Sequence, residues 1–391
     1  MPPASASPIA ETVNDFTCAL FAQLSREKSG NLFLSPYCAL SALAMTYAGA
    51  AGVTEREMRR ALRLRLTGES LHAGLGRLAQ GLRELGGGGA VQLVTADALW
   101  LQTGFPLEAA FVETLRRLYG AQALELDFRA DPEGAGRRIN SWAEELTRGK
   151  IRDLIPPGGV TEDTRLALTN AVYLKAPWAA PFMEEATEES PFILADGNEV
   201  PAPLMRQTES FGLHEDAGLQ CLELAYAGGA LSMLVLLPRR ADGLTALEAS
   251  FTAERLAELT ARLEPRRVAV ALPRFKLTSG FSLAGALGAL GMPSAFRLSA
   301  TPGPGDADFS GATGRRDLFI GSVVQKAFVA VDEAGTEAAA ATAALLAELG
   351  MPAPGEIPVF RADHPFLFLI RDRRSGAVLF IGRLADPSPA G

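Results

Sequence analysis

Helical and strand-like segments come in separate runs along this 391-residue chain, and that separation predicts an α+β fold. Two further observations agree. Hydrophobic residues make up 48% of the chain and charged residues 21%, ample for a large core and far from the composition of disorder. Strand candidates are rich in Val, Ile, Leu and Phe and bounded by Gly or Pro, as buried sheet strands are. Length alone would suggest two or three domains, but no long low-complexity linker and no internal repeat divides the chain.

In chain order, helices are predicted near 10–26, 36–48, 54–63, 69–85, 108–118, 132–147, 253–262 and 282–290. Gly86-Gly-Gly-Gly89 follows the fourth. A phosphate-cradling loop would show Gly-x-Gly-x-x-Gly spacing or end in Gly-Lys-Ser/Thr; this run does neither and reads as a flexible connection. Strands are predicted at Ala90–Leu101, Arg165–Lys175, Gln220–Ala225, Ser232–Leu237, Arg267–Ala271, Leu318–Val331, Phe366–Asp372 and Val378–Leu384.

Charge and motif content exclude several functions. A net charge of −8 opposes nucleic-acid binding, which needs a basic face. The pairs Arg266-Arg267, Arg315-Arg316 and Arg373-Arg374 read as solvated edges. No apolar run approaches the ~20 residues of a membrane span. Cys18, Cys38 and Cys221 lack metal-ligand spacing and read as buried reduced thiols. A Ser-His-Asp hydrolase needs a histidine held against its nucleophile, and only His72, His214 and His364 are available. Gly280-Phe-Ser282-Leu-Ala284 lacks the second glycine of a nucleophile elbow. His-Glu-x-x-His and Cys-x-x-Cys are absent, so neither a metal site nor an enzyme is expected. The N-terminus, Met1-Pro-Pro-Ala-Ser-Ala-Ser-Pro8, has no basic and apolar regions of a secretory signal. The chain is expected in the cytoplasm if Met1 is its native start, and outside the cell if a signal was removed.

The most informative stretch is Glu333-Ala-Gly335-Thr336-Glu337-Ala338-Ala339-Ala340-Ala341-Thr342. Propensity alone makes it a surface helix, since Ala is the best helix former and Thr336–Leu349 lacks Gly and Pro. Its company points elsewhere. Upstream stand Asn31-Leu-Phe-Leu-Ser35-Pro36, Gly49-Ala-Ala-Gly52, Asn140-Ser-Trp142, Thr147-Arg-Gly-Lys-Ile151 and Leu168-Thr-Asn170-Ala-Val-Tyr-Leu-Lys175. Trp178, Ser232-Met-Leu-Val-Leu-Leu-Pro238, Leu272-Pro273-Arg-Phe275-Lys276, Asp308-Phe-Ser310-Gly311, His364-Pro365-Phe366 and Phe380-Ile-Gly382 follow. Single pieces are weak; this ordered set, from about residue 10 to 387, resembles the serpin family. The 333–342 segment resembles the hinge of its inhibitory branch, and the chain looks like a microbial-type member.

The resemblance implies three β-sheets wrapped by eight or nine helices, in one domain spanning residues 1–391. It implies an exposed reactive-centre loop at about 334–357, a monomer, and no cofactor. The partner would be a serine protease of chymotrypsin-like, subtilisin-like or elastase-like type. Such a protease attacks the loop, and the freed loop enters the central sheet as a new strand before water completes hydrolysis. Family spacing places the scissile bond sixteen residues beyond Glu333, at Leu349–Gly350. Glu348–Leu349 and Met351–Pro352 stay open, because Gly350 to His364 is longer than in many relatives.

Alternation puts Thr336, Ala338, Ala340 and Thr342 on one face of the inserted strand, with Glu337, Ala339 and Ala341 on the other, water-facing side. Thr336 is expected to be exposed before cleavage and buried afterwards. The resemblance places a gate at Ser35, Asn170 and Gln325, whose hydroxyl and amides can form a small polar network. Gln325 stands where the family usually has histidine, and Cys38 where serine is common, so a titrating gate is not expected. The alternative is a non-inhibitory serpin serving as carrier, chaperone or storage protein, although such relatives typically carry bulky or charged hinges.

Overall fold

The computed structural model describes residues 7–86, 91–119, 123–299, 301, 303–336 and 357–388. Helices α1 (Pro8–Glu27), α2 (Pro36–Tyr47), α3 (Gly52–Ala61), α4 (Gly68–Gly86), α5 (Ala109–Thr114) and α6 (Pro132–Leu146) lie in the first half. Helices α7 (Leu244–Ser250), α8 (Ala253–Ala261), α9 (Ala284–Ala289) and α10 (Ser310–Thr313) lie in the second. The ten among the described residues exceed the expected eight or nine through short segments such as α10.

Helix starts follow local chemistry. Ser7 caps α1, Ser35 caps α2 and Asp131 caps α6, each followed by a proline whose missing N–H costs nothing at that position. In α6 only one stripe is apolar enough to bury, through Ala135, Ile139 and Ala143 at fourfold spacing. In α2 every residue but Ser41 is buried, so that helix runs through the core.

The strands are β1 (Leu32–Leu34), β2 (Gln92–Gln102), β3 (Ala123–Leu126), β4 (Leu166–Pro177), β5 (Glu188–Ile193), β6 (Glu199–Glu215), β7 (Leu219–Ala225) and β8 (Leu231–Pro238). Then come β9 (Glu264–Pro273), β10 (Phe275–Ser282), β11 (Ser322–Val331), β12 (Gly335–Thr336), β13 (Val359–Arg361), β14 (Phe366–Asp372) and β15 (Val378–Leu384). One nine-stranded sheet has the order β1-β15-β14-β8-β7-β6-β9-β13, with β5 on β6. The other, six-stranded, has the order β10-β11-β12-β4-β2-β3, with β11 also paired to β4. Three sheets were expected; the described strands join into two because the 17-residue β6 pairs with β5 and β9 and then carries on to β7.

The six-stranded sheet lies between two apolar layers. One face, with Leu168, Val172, Leu174, Val323, Ala327 and Val329, belongs to the main core with α1 and α2. The other face, with Ala167, Ala171, Tyr173, Val324 and Phe328, packs with Ile139 and Ala143 of α6. That second face is therefore covered along much of its length, and not open to water as expected. Cys18, Cys38 and Cys221 are free and buried, and burial pushes the Cys18 and Cys221 thiols up to about 12.

Candidate functional site

Strands β4 and β11 run parallel and are paired from Ala167↔Ser322 to Tyr173↔Phe328. Beyond that point they part, and the chain itself fills the gap. Past Val331 it reverses: Asp332 N donates to Gly335 O at 2.9 Å, and Asp332 Oδ1 accepts from the N–H groups of Ala334 and Gly335, both at 3.0 Å. Gly335 has φ of +155°, and a Cβ there would stand 2.3 Å from Ala176 O, so glycine is required. The reversal sets Thr336 opposite Val331 on one side and Ala176 on the other, antiparallel to both strands.

Thr336 is fully buried, and its hydroxyl shares a 2.7 Å hydrogen bond with the Tyr226 hydroxyl. Burial pushes the Tyr226 phenol up, so it stays neutral. Its ring stacks on Trp178 at 4.7 Å between centroids. Trp178 in turn holds the turn, donating Nε1 to Asp332 O at 3.0 Å and its backbone N to Ala334 O at 2.9 Å. The expectation that Thr336 is exposed before cleavage is thus corrected. The Trp178–Tyr226 platform provides a slot for one small hydroxylated side chain, and Gly335 and Thr336 belong to the sheet, with Ala334 in the turn before them, not to an exposed loop. Glu337, Ala338, Ala339, Ala340, Ala341, Thr342, Leu349 and Gly350 lie outside the described residues.

Glu333 anchors the same turn and is only 6% exposed. Its Oε1 accepts from Arg274 Nη2 at 2.5 Å and from Thr187 Oγ1 at 2.6 Å. Burial pushes its carboxyl up, but the Arg274 and Thr187 hydrogen bonds and the Arg274 charge outweigh that, leaving it below its ordinary value.

Lower on the seam, Ser35, Asn170 and Gln325 come together. Gln325 Nε2 donates to Asn170 Oδ1 at 2.6 Å and to Ser35 O at 2.8 Å, while Gln325 Oε1 accepts from Ser35 N at 3.0 Å. Ser35 joins through its backbone and not its hydroxyl, which donates to Leu379 O at 2.7 Å and receives Cys38 N at 3.3 Å. Burial, then the nearby Asp97 charge, push the Cys38 thiol well above its ordinary value, so it stays protonated.

Sequence reasoning missed Asp97, Tyr226, Arg274 and Thr187 as members of these clusters. Asp97 left one signal: it is the only charged residue in the strand Gln92–Gln102. Arg274 stands inside the quoted Leu272-Pro273-Arg-Phe275-Lys276 motif, which did not say what it pairs with; Tyr226 and Thr187 come from distant segments and carry no signal.

An α+β protein whose central sheet is wedged apart at one end by its own chain, above a polar clasp on the same seam, is built to accept another strand. A family model described as Serpin (serine protease inhibitor) matches residues 11–387, and the chain belongs to this family. It is 39% identical over 381 residues to the leukocyte elastase inhibitor of Bos taurus, covering 95% of this chain and 97% of that one. Among solved structures, Serpin48, a highly specific serpin of the insect Tenebrio molitor, superposes with a TM-score of 0.85 at 30% identity, covering 97% of this chain and 98% of that one. Human thyroxine-binding globulin complexed with its hormone also reaches 0.85, at 27% identity and the same coverage.

Proposed function

We propose that this chain inhibits serine proteases as a suicide substrate, acting as one domain and as a monomer, with no hydrolytic site of its own. The observation that carries the reading is Thr336, already seated between β4 and β11 and antiparallel to both. The chain that follows it is Ala-rich and small enough to continue downward between those strands. A protease serine attacks the carbonyl carbon of Leu349; the Leu349–Gly350 bond breaks, and the Gly350 amine leaves with the proton that the protease histidine supplies. The acyl-enzyme then moves with the inserting loop, and water does not complete hydrolysis.

Leu349 suits an apolar primary pocket, and the name of the bovine relative supports an elastase-like target within the chymotrypsin-, subtilisin- or elastase-like range. His364 supports the non-enzymatic reading: its Nε2 sits 2.7 Å from the backbone carbonyl of Pro238 and not against a nucleophile. A carrier role has an equal fold match in thyroxine-binding globulin, so fold does not choose between them. The hinge does, since Thr336 and its alanines lack the bulk or charge that obstructs insertion.

Mixing with elastase, chymotrypsin and subtilisin is expected to give a band stable in denaturant near the summed masses, with mass spectrometry placing the cut after Leu349. If every protease that cuts there turns the chain over as plain substrate, the proposal fails.

A further inference from the structure

Among the described residues, six large hydrophobic side chains stand exposed. Val53, Val112, Leu146 and Met183 come from four separate segments, and apolar residues scattered singly on a surface need no explanation. Ile357, 43% exposed, and Val359, 61% exposed, are a pair, two residues apart where the reactive loop ends and β13 begins. Their place is fixed. Phe360 is fully buried opposite Val270, Pro358 O accepts from Ala269 N at 2.9 Å, and Val359 O accepts from Gln220 Nε2 at 2.9 Å. With Phe360 turned inward, alternation turns Val359 outward.

Little covers it there. Its neighbours across the sheet are the small Ala269 on β9 and Thr208 on β6, and β13 stands last in the strand order. One cation flanks this face. Arg267 lies two residues before Ala269, on a strand parallel to β13, so it points to the same side as Val359. It is exposed and makes no ion pair among the described residues. Arg361, the next outward residue of β13, is by contrast held by Asp363 at 2.6 Å, and Arg266 by Glu215 at 3.2 Å. The surface is an apolar stripe with one unneutralised guanidinium beside it, and its complement is an apolar group next to a carboxylate.

The loop brings such a group here. Only residues 350–356 separate the proposed scissile bond from Ile357, and they span at most ~25 Å when fully extended. A protease domain of ~220 residues has a radius of gyration of ~17 Å, hence an outer radius of ~22 Å. Seated on Leu349–Gly350, with the loop less than fully extended, it covers the start of β13 on its leaving-group side. We infer that Ile357, Val359 and Arg267 form a second docking surface for the target protease, met by a rim of that protease that sets an apolar side chain beside a carboxylate. This rests on the inhibitory reading above and adds selectivity outside the loop. Two proteases that both accept leucine are told apart by their rims.

The test uses the full-length chain and whichever of elastase, chymotrypsin and subtilisin it inhibits fastest. Docking is read as the Kd for that protease with its nucleophilic serine replaced by alanine, so that no bond is cut. Val359→Ser is expected to raise Kd about fivefold, and Ile357→Ser/Val359→Ser about twentyfold. Val359→Thr, which keeps the branched shape a strand favours, should cost about threefold and guards against a folding defect. Arg267→Ser should cost about threefold at low salt and under about twofold in ~0.5 M salt, because an exposed charge is screened. With active protease, the ratio of covalent complex to cleaved chain should match the parent's, since the surface acts before cleavage. A Kd within about twofold of the parent's in the double variant overturns the assignment. So does a fall in complex yield at unchanged Kd, which would place these residues in insertion and not in docking. The parent separates the two claims. Absence of any covalent complex overturns the inhibitory reading, while its presence with unaltered Kd in the variants overturns the second surface alone.

Discussion

Cleavage at Leu349–Gly350 is expected to raise the melting temperature by tens of degrees, far more than any single substitution could. The argument starts from pairing. In the six-stranded sheet β10 is antiparallel to β11 and β2 is antiparallel to β4, but β4 and β11 meet in parallel, the slightly weaker arrangement. A strand continuing from Thr336 would replace that junction with two antiparallel ones. About twelve residues at ~3.3 Å each reach ~40 Å, enough to run the length of β4. New ladder bonds at ~1 kcal/mol net supply on the order of 10 kcal/mol, comparable with a folding free energy of ~5–15 kcal/mol. The segment has no strong competing state, since an isolated Ala-rich helix of that length is marginal in water. Calorimetry of intact and cleanly cleaved chain decides it. An unchanged or lower midpoint after cleavage would remove stored strain from the mechanism.

The long regular elements were legible in the sequence because their patterns are local. Helices predicted at 10–26, 36–48 and 132–147 appear as Pro8–Glu27, Pro36–Tyr47 and Pro132–Leu146, and their Ser-Pro or Asp-Pro starts explain why the N-terminal bounds fall where they do. The fully buried strands β8 and β15, and β14, buried except at Arg371, were equally plain, as runs of Leu, Val, Ile and Phe. What stayed hidden was β6. Its Pro201 and Pro203 argue against a strand, yet both lie where β6 pairs with the short strand β5, at Pro191↔Pro201 and Glu189↔Pro203. That one strand is also why two expected sheets merge. Strand β10 alternates buried and exposed residues, with Phe275, Leu277 and Phe281 inward, but the polar, half-buried Ser279 on that same face interrupts the apolar pattern.

The site divides along the same line. Glu333, Gly335 and Thr336 could be singled out by motif, and Ser35, Asn170 and Gln325 by the family's usual gate. Their surroundings could not. Tyr226 reaches Thr336 across 110 positions of sequence, and Arg274 reaches Glu333 across 59. Period-two reading did identify the face Thr336 occupies, since Tyr226 and Trp178 belong to the main core. It could not reveal when that face is buried. That depends on Trp178 holding the turn and on the splay of β4 from β11 above Tyr173 and Phe328, both tertiary facts.

Thr336→Arg is expected to convert the inhibitor into a substrate while the chain still folds. The Thr336 slot is lined by the Tyr226 hydroxyl and closed by backbone on both sides, so a guanidinium cannot be seated there. In the intact chain the arginine would be driven out with its turn, a local change at one end of the sheet. After cleavage the same position must be buried first if the following residues are to enter, and the charge must then be desolvated without a partner. A barrier raised by ~3 kcal/mol slows insertion by a factor on the order of 100, which lets hydrolysis of the acyl-enzyme win. Protease should be recovered active, with the loop cut and no covalent band. Two controls locate the cause. Glu337→Arg exchanges one charged side chain for another on the alternate face, whose hinge end at Lys175 and Ala330 is only half-buried, and should keep most inhibition. Tyr226→Phe keeps the stack on Trp178 but leaves the Thr336 hydroxyl without its partner, a cost of ~1–3 kcal/mol, and should give an intermediate yield of complex. Equal inhibition by Thr336→Arg, Glu337→Arg and the parent would show that this slot does not begin the insertion.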